Sequence, residues 1–454
     1  MLYRKITSYL EKHLKSGTDK ILILQGARQI GKSFSIREAG TRLYKNFIEI
    51  NFVKDDEGDQ LFRNIHKTED FYLTLSMVAG DRLGDRNDTL VFLDEIQHYP
   101  QYLTMLKFLR EEGRYRYITS GSLLGITLQD ATSIPVGSVI PKEMFQLDFE
   151  EFLIANGFGT EALDMLRSAY ENRQSLSVEH HNHVMDLFRR YLLVGGMPDA
   201  VNTYLDTHNI VRVREVQEGI RSLYASDATK YEKEQNKKLL IRRIYEMIPS
   251  QMENKKKRIV AKEIRGKKGD RFEQYHEEFE YLISSGIALA VHAITNPHFP
   301  LSESLQKNLL KLYLNDVGLL TGQLYHNNIR PVLDDIRSIN LGSVYESVVA
   351  QELRAHGHKL FYYDQRKQGE VDYLVDNYTA TSPHPIEVKS GKDYTVHSAL
   401  NNLLGNPDYH IPEATVVSNE REIYQDGKII YMPVYLVMFM DSDAPPEDES
   451  EYIF

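Results

Sequence analysis

An α/β fold is what this sequence predicts: a mostly parallel sheet with helices on both faces, then helical segments, then a second α/β domain towards the C-terminus. Three observations predict it. Over the first 150 residues, apolar runs of strand length alternate with segments of helical spacing, the pattern of repeated βα units. The run Ile21–Leu24 leads through Gln25 into Gly26, Gly31, Lys32 and Ser33, spaced as G-x-x-x-x-G-K-S. A further run, Thr89–Leu93, ends in the adjacent acids Asp94 and Glu95. In a parallel sheet of this kind, functional groups collect at the C-terminal ends of the strands.

The glycine-rich loop carries the most specific chemistry. Its glycines let the backbone turn tightly so that N–H groups face a phosphate, and the helix that follows points its positive end at the same anion. The segment Gly26, Ala27, Arg28, Gln29, Ile30, Gly31, Lys32, Ser33 and Phe34 is therefore the expected ATP contact. Lys32 is suited to the β- and γ-phosphates, and the Ser33 hydroxyl to Mg²⁺. Asp94 and Glu95 lie about sixty positions downstream. In a P-loop ATPase the first such acid holds Mg²⁺ and the second orients or deprotonates the attacking water. Another short strand, Arg116–Gly121, ends in small polar residues, and the hydroxyl of Ser120 or Thr119 is a candidate γ-phosphate sensor. A plain strand end rich in turn-forming residues reads equally well.

Composition bounds the rest. At 454 residues the chain is too long for one core, and about two to four domains are expected. No apolar run approaches the ~18 residues that span a bilayer, and Met1–Gly17 lacks the continuous apolar stretch of a secretory signal. Cysteine is absent, which excludes disulfides and thiolate zinc sites and fits a cytoplasmic location. The net charge of −11 argues against a uniformly basic nucleic-acid binder. Any such contact must come from a local patch.

Taken in order, Leu2, Ile6, Tyr9, Leu10 and Leu14 share one face of a helix, and Lys45–Val53 alternates as a second strand. Thr68–Gly80 and Tyr102–Glu112 have helical spacing. The expected domains are an ATPase core over 1–150, a helical lid over 151–230, a winged-helix unit over 231–325, an α/β domain over 326–440 and an acidic tail over 441–454. Gly195-Gly196-Met197-Pro198 breaks the helical region and is read as structural. The sixteen histidines show no metal-binding spacing, and His180, His181 and His183 read as an exposed loop.

Lys255–Arg271 holds nine bases and only two acids. Its functional reading is a DNA-binding face with lysines on phosphates. The other reading is a solvated helix face beside a basic loop. Helical patterns and a short β-like stretch, Gly286–Ile294, follow it and suit a winged helix.

The motifs GARQIGKS, FLDEIQ, TSGS, FQLDFEEF (Phe145–Phe152) and YLLVGGMPDAV (Tyr191–Val201) resemble, in this order, a group of bacterial and archaeal AAA-type ATPases. LYLNDVGLL (Leu312–Leu320) and VYESVVAQEL (Val344–Leu353) resemble the C-terminal region of the same family, whose function is uncertain. The resemblance covers nearly the whole chain and implies ATP hydrolysis. One departure stands out. Relatives often carry Gly-Arg after the sensor strand, as a finger on a neighbour's nucleotide. Here Gly137 is followed by Ser138, and no arginine occurs from Tyr117 through Leu166. An arginine finger is not evident, which counts against an oligomeric ring that supplies one in trans.

The C-terminal third carries a second constellation. Glu346 lies in an expected helix, Leu341–Arg354, and Lys359–Asp364 reads as a strand. Asp372 sits in the next strand, within Gly369–Asp376, and Glu387 and Lys389 in the one after, within Pro385–Gly391. Residues i and i+2 of a strand face one side, so Glu387 and Lys389 point together. Carboxylates at Asp372 and Glu387 suit Mg²⁺ or Mn²⁺, and Lys389 suits orientation of a water. D-(spacer)-E-x-K resembles the signature of restriction-endonuclease-like nucleases, and the resemblance implies that Glu346 is the helix acid placed near the metal. An ordinary surface Glu–Lys pair gives the same spacing.

Two functions follow. One is an ATPase acting on DNA with a metal-dependent nuclease at Asp372, Glu387 and Lys389. The other is a nucleotide-dependent binding switch with an inactive nuclease-like interaction domain.

Overall fold

The computed structural model describes residues 1–122, 137–230, 235–253, 257–266, 270–334, 341–391 and 394–444. Parts of the basic run and most of the acidic tail lie outside them. The chain forms two compact units, Met1–Gln146 with Glu280–Ile287, and Leu147–Phe279 with Ala288–Phe454.

The first unit is built on five strands: β1 (Ile21–Gln25), β2 (Asn46–Asn51), β3 (Thr89–Asp94), β4 (Arg116–Gly121) and β5 (Val139–Glu143). They lie in the order β2-β3-β4-β1-β5, with every neighbouring pair parallel. Every residue of β3 is buried, as are the first four of β1, because parallel strands are covered on both faces. The helix Lys5–Lys15 buries Ile6, Leu10 and Leu14 at four-residue intervals, the stripe read from the sequence. One face of the sheet is closed by an aromatic cluster in which the Phe52 and Tyr102 rings lie 4.4 Å apart. β4 separates β1 from β3, so the end of β4 lies between the loop after β1 and the acids after β3.

The second unit begins with helices Phe149–Ala155, Thr160–Glu171, Val178–Val194, Pro198–Thr207, Ile210–Lys230 and Gln235–Met252. These helices do not form a unit of their own. They are tied to the C-terminal half by two buried acids. The Gly196 N–H donates to Asp316 at 2.6 Å, and the same carboxylate caps the helix Val317–Tyr325 through the Leu319 N–H. Glu352, fully buried, accepts from the Phe149 N–H and the Tyr191 hydroxyl, each at 3.0 Å. Such acids lose water on burial and take backbone donors instead.

The histidine expectation is corrected here. His180, His181 and His183 lie within the helix Val178–Val194, which Ser177 caps by accepting the His180 N–H. His181 is buried with its Nδ1 3.1 Å from the Tyr435 hydroxyl. The missed signal was the capping serine followed by an acid in the first turn.

Eight strands make the second sheet. Its members are β6 (Ala288–Ile294), β7 (Leu305–Leu314), β8 (Phe361–Gln365), β9 (Gly369–Asn377), β10 (Ser382–Val388), β11 (Ala414–Ser418), β12 (Tyr424–Asp426) and β13 (Ile429–Pro433). Their order is β12-β13-β11-β10-β9-β8-β6-β7. β8, β9 and β10 form an antiparallel meander, and β10 pairs in parallel with β11 after the helix Ser398–Leu404. The helix Gly342–Ala355 precedes the meander. The antiparallel hairpin β6–β7 joins the same sheet through parallel pairing of β6 with β8. The residues expected as separate domains on either side of position 325 therefore share one sheet.

A Cβ at Gly196 would stand 1.9 Å from the Leu147 carbonyl oxygen, where backbone cannot give way. Gly196→Ala is expected to destabilise the protein by about 1–3 kcal/mol or more. A thermal-unfolding midpoint equal to that of the unsubstituted chain would show this contact to be wrong.

Candidate functional site

The loop after β1 is shaped by residues that tolerate unusual backbone. Gly26, Gln29 and Gly31 have φ of +145°, +61° and +96°, a region that favours glycine. A Cβ at Gly26 would lie 2.3 Å from the Met144 carbonyl oxygen. The loop is held from below, since Arg4 donates to the Ile30 carbonyl at 2.7 Å. Ile30 and Ala27 are buried, whereas Gln29 and Phe34 are exposed. Gly31 precedes the helix Lys32–Leu43 and offers no side-chain cap, so first-turn N–H groups remain for an anion.

Lys32 is buried and folds back on the loop, donating to the carbonyls of Gly26 at 2.9 Å and Ala27 at 2.7 Å. Burial lowers its pKa to about 8, against the opposing pull of Glu95 and Asp94. Ser33 Oγ donates to Asp94, 3.0 Å from each carboxylate oxygen. A hydroxyl and a carboxylate this close are the hard oxygen donors that suit Mg²⁺ held mainly by phosphates and water. Asp94 also accepts from Asn51 at 2.8 Å, from the Glu95 N–H at 3.1 Å and from Ser120. Burial raises its pKa, and the hydrogen bonds from Ser120, Ser33 and Asn51 oppose that rise. The loop and this acid therefore fit ATP with Mg²⁺.

Glu95 sits just past the strand at φ +56°, a conformation non-glycine residues seldom adopt. Its carboxylate accepts from Gln97, and from Ser122 at 3.4 Å. Ser122 in turn accepts from Arg28 Nε at 3.3 Å. The candidate sensor hydroxyls are placed differently. Ser120 is spent on Asp94, and Thr119 is buried on the other face of β4. The hydroxyl beside Glu95 belongs to Ser122, two residues further on. Asn51, Gln97 and Ser122 were not singled out from the sequence. A period-two reading of TSGS offers the signal for Ser122.

In the second unit, Glu346, Asp372, Glu387 and Lys389 are brought to one region, but each acid has its own partner. Asp372 accepts the Val388 N–H at 2.9 Å. Glu387 accepts from Lys389 Nζ at 2.8 Å, and its other oxygen is buried without a partner. Burial raises the pKa of Glu387, and the charge of Asp372 adds to the rise. Glu346 is paired with Lys257 and accepts from the Tyr313 hydroxyl at 3.3 Å. Among the described residues, no three or more His, Asp or Glu side chains are grouped to hold a metal ion. The expected metal set of Glu346, Asp372 and Glu387 is not assembled, because Lys257 and the Val388 amide take up two of its members.

The basic segment is likewise partly spent. Arg258 pairs with Asp364 and lies 3.4 Å from Glu370, and the Arg265 guanidinium lies over Tyr275. Lys262, Arg265 and Arg271 are exposed, and Lys255, Lys256, Lys267 and Lys268 lie outside the described residues.

Comparison with known proteins bears on the first unit. Residues 18–153 match a family model described as an AAA domain. Residues 185–328 and 341–437 match two models, each described as a domain of unknown function. No curated protein matches the chain. Among solved structures, the Walker-type ATPase of Pyrococcus abyssi is 14% identical, with 71% of this chain and 95% of that one covered and a TM-score of 0.42. The Thermotoga maritima RuvB Holliday junction branch migration motor is 12% identical, with 63% and 89% covered and a TM-score of 0.29. The Aeropyrum pernix Orc1 protein in complex with DNA is 13% identical, with 73% and 92% covered and a TM-score of 0.30. The assignment of residues 18–153 as an AAA-type P-loop domain rests on the family match and the loop geometry. No helix among the described residues is long and apolar enough to cross a membrane.

The Lys32 geometry gives a pH prediction. With its pKa lowered to about 8 in the free protein, the ammonium regains full charge when phosphate oxygens surround it. The complex then binds more protons than the free protein around pH 8, so ATP affinity falls as pH rises through that value. Titration calorimetry in buffers of different ionisation enthalpy is expected to record proton uptake on ATP binding near pH 8 and little at about pH 6.5, and equal uptake at both would remove Lys32 as its source.

Proposed function

We propose that the chain is an ATP-binding and ATP-hydrolysing protein of AAA type that works as a nucleotide-dependent switch on DNA, with its C-terminal half as an interaction module. The observation that carries the ATPase reading is the placement of Ser33 within 3.0 Å of both Asp94 carboxylate oxygens, beside Lys32 and Glu95, in a segment that matches an AAA domain. Lys32 and the loop amides hold the phosphates. Ser33 and Asp94 would hold Mg²⁺, which would supply charge neutralisation at the transferring phosphoryl group. Glu95 orients and deprotonates the attacking water, and Ser122 and Gln97 fix the Glu95 carboxylate. Arg28, joined to Ser122, brings positive charge to the same end of the loop from within the chain.

DNA contact is proposed at the basic segment, where Lys262, Arg265 and Arg271 are exposed. The switch is preferred to the nuclease because each acid of the C-terminal site already has a partner. The nuclease reading keeps one support. Asp372 lies in β9 and Glu387 in the neighbouring strand β10, and Lys389 pairs with Glu387, which keeps the D-(spacer)-E-x-K spacing on adjacent strands.

Glu95→Gln is expected to retain ATP affinity while slowing hydrolysis by roughly 10²–10⁴-fold. Lys32→Ala is expected to lose nucleotide binding altogether. Steady-state hydrolysis and equilibrium ATP binding check both, and unchanged turnover in Glu95→Gln would remove the acid from its proposed role. Incubation of duplex, single-stranded or branched DNA with Mg²⁺ or Mn²⁺ and ATP is expected to leave it intact. Cleavage abolished by both Asp372→Ala and Lys389→Ala would instead establish the nuclease.

A further inference from the structure

One face of the second sheet borders a cavity. Paired residues of neighbouring strands share a face. Val375 of β9 pairs with His384 of β10, and Thr415 of β11 pairs with Ile430 of β13. His384 Nε2 lies 2.9 Å from the Thr415 hydroxyl, so these four residues face one side. Leu374, Val416 and Tyr431, one step along their strands, pack into the core on the other side. Against the first side lies a cavity of about 320 Å³, within the range of small-molecule sites. Val375, Ile430, Met432 and Leu436 give it apolar walls. Leu436 reaches it from the 3₁₀ turn Val434–Phe439.

The polar groups at this cavity hold acceptors in excess. His358, only 7% exposed, borders it. Its Nε2 lies 2.9 Å from the Met440 carbonyl oxygen. A carbonyl only accepts, so Nε2 carries the proton and Nδ1 is an acceptor. No donor among the described residues meets that nitrogen. Burial lowers the pKa of His358, and it lowers that of His384 to about 4, so both rings are uncharged at neutral pH. Carboxylates of Glu171, Glu413, Asp441 and Asp443 stand at the border. Burial works against the ionised form of Asp443, but bonds from Thr379 and from the Tyr378 N–H outweigh it and hold its pKa low. Asp441 lies 2.6 Å from His356 Nδ1. Among the described residues, Arg173 brings the one guanidinium to the border, and it is paired with Glu413 at 2.8 Å.

We propose that this cavity binds a small organic cation, a protonated amine with an apolar body. The apolar walls take the body, and the ammonium donates to His358 Nδ1 and to carboxylates at the border. Charges of one sign around a cavity with low-dielectric walls focus a field that selects ligands of the opposite sign. A neutral ligand of the same shape gains the apolar burial alone, and an anion is repelled. Among the described residues, no three or more His, Asp or Glu side chains are grouped to hold a metal ion, so the acids suit a ligand that brings its own N–H donors rather than a bare divalent ion. Every residue at this cavity belongs to the second unit. The inference goes beyond the ATPase reading and does not rest on it.

The test uses the full chain without nucleotide. Agmatine, benzylamine and tyramine are the cationic probes and benzyl alcohol the neutral one, followed by titration calorimetry and thermal unfolding. At least one amine is expected to bind with a Kd tighter than about 1 mM and to raise the unfolding midpoint, while benzyl alcohol does neither. His358→Gln keeps an N–H donor for the Met440 carbonyl and removes the Nδ1 acceptor. It is expected to weaken amine binding by roughly tenfold or more. Glu171→Gln/Asp443→Asn changes two exposed positions and is expected to weaken amine binding by a similar factor. If His358→Gln fails to fold, the double variant carries the comparison. Failure of all three amines to bind overturns the proposal, as does equal binding of benzyl alcohol or amine affinity unchanged in the folded variants. Because the readout needs neither ATP nor the loop after β1, its failure would leave the ATPase reading untouched.

Discussion

The carboxylate of Asp94 is the point on which the first unit depends. It is 3% exposed and takes hydrogen bonds from Ser33 at the start of the loop helix, Asn51 at the end of β2, Ser120 in β4 and its neighbour's N–H. Three strands and the phosphate-binding loop are thereby referred to one pair of oxygen atoms. Burial works against the ionised acid, and the donors oppose it. Because β4 lies between β1 and β3, its serine can reach the acid from one side while the loop serine reaches it from another. Asn51 does double duty, since its side chain also caps the helix Phe52–Glu57. The donors that oppose the effect of burial also hold the carboxylate in one place beside the loop after β1.

The second unit uses the same device for architecture. Asp316 and Glu352 are fully buried and accept main-chain donors from Gly196 and Phe149. These four residues lie in four motifs spread from Phe149 to Glu352, 203 positions apart, and buried hydrogen bonding gives the reason they occur together. A glycine is required at 196 because the Leu147 carbonyl and the Asp316 carboxylate both approach its backbone. The helical segments and the C-terminal sheet are thus one body of contacts, although the linear sequence reads as successive domains.

How much of this was legible follows from what each feature depends on. The strand that leads into Gly26 and those that carry Asp94 and Ser120 were readable almost to the residue, because apolar runs ending in glycine or acids are local signals. The meander with Asp372 and Glu387 was readable for the same reason. What failed was non-local or depended on caps. The histidines near position 180 looked like a loop because three polar residues interrupt the apolar pattern, yet Ser177 starts a helix there and Tyr435 receives His181. The sharing of one sheet by β6 and β8 depends on parallel pairing across more than sixty residues, which periodicity does not encode. Ser122 was passed over for Ser120 because nothing local says which hydroxyl Asp94 will capture.

The acid cluster shows where a motif stops being informative. An E-x-K strand end fixes Glu387 and Lys389 on one side and leaves their role open, since the same pair serves a metal site or a closed ionic network. Glu346 is paired with Lys257, which comes from a segment that reads from the sequence either as a DNA-binding face or as a solvated basic stretch. Its two described leading bases, Lys257 and Arg258, are turned inward onto acids, so a run of like charge on paper becomes a set of counter-ions in the fold. Net charge of a segment is therefore a poor guide to its partner until the buried acids nearby have been counted. In this chain the count gives Lys257 to Glu346 and Arg258 to Asp364, so both bases are accounted for inside the fold.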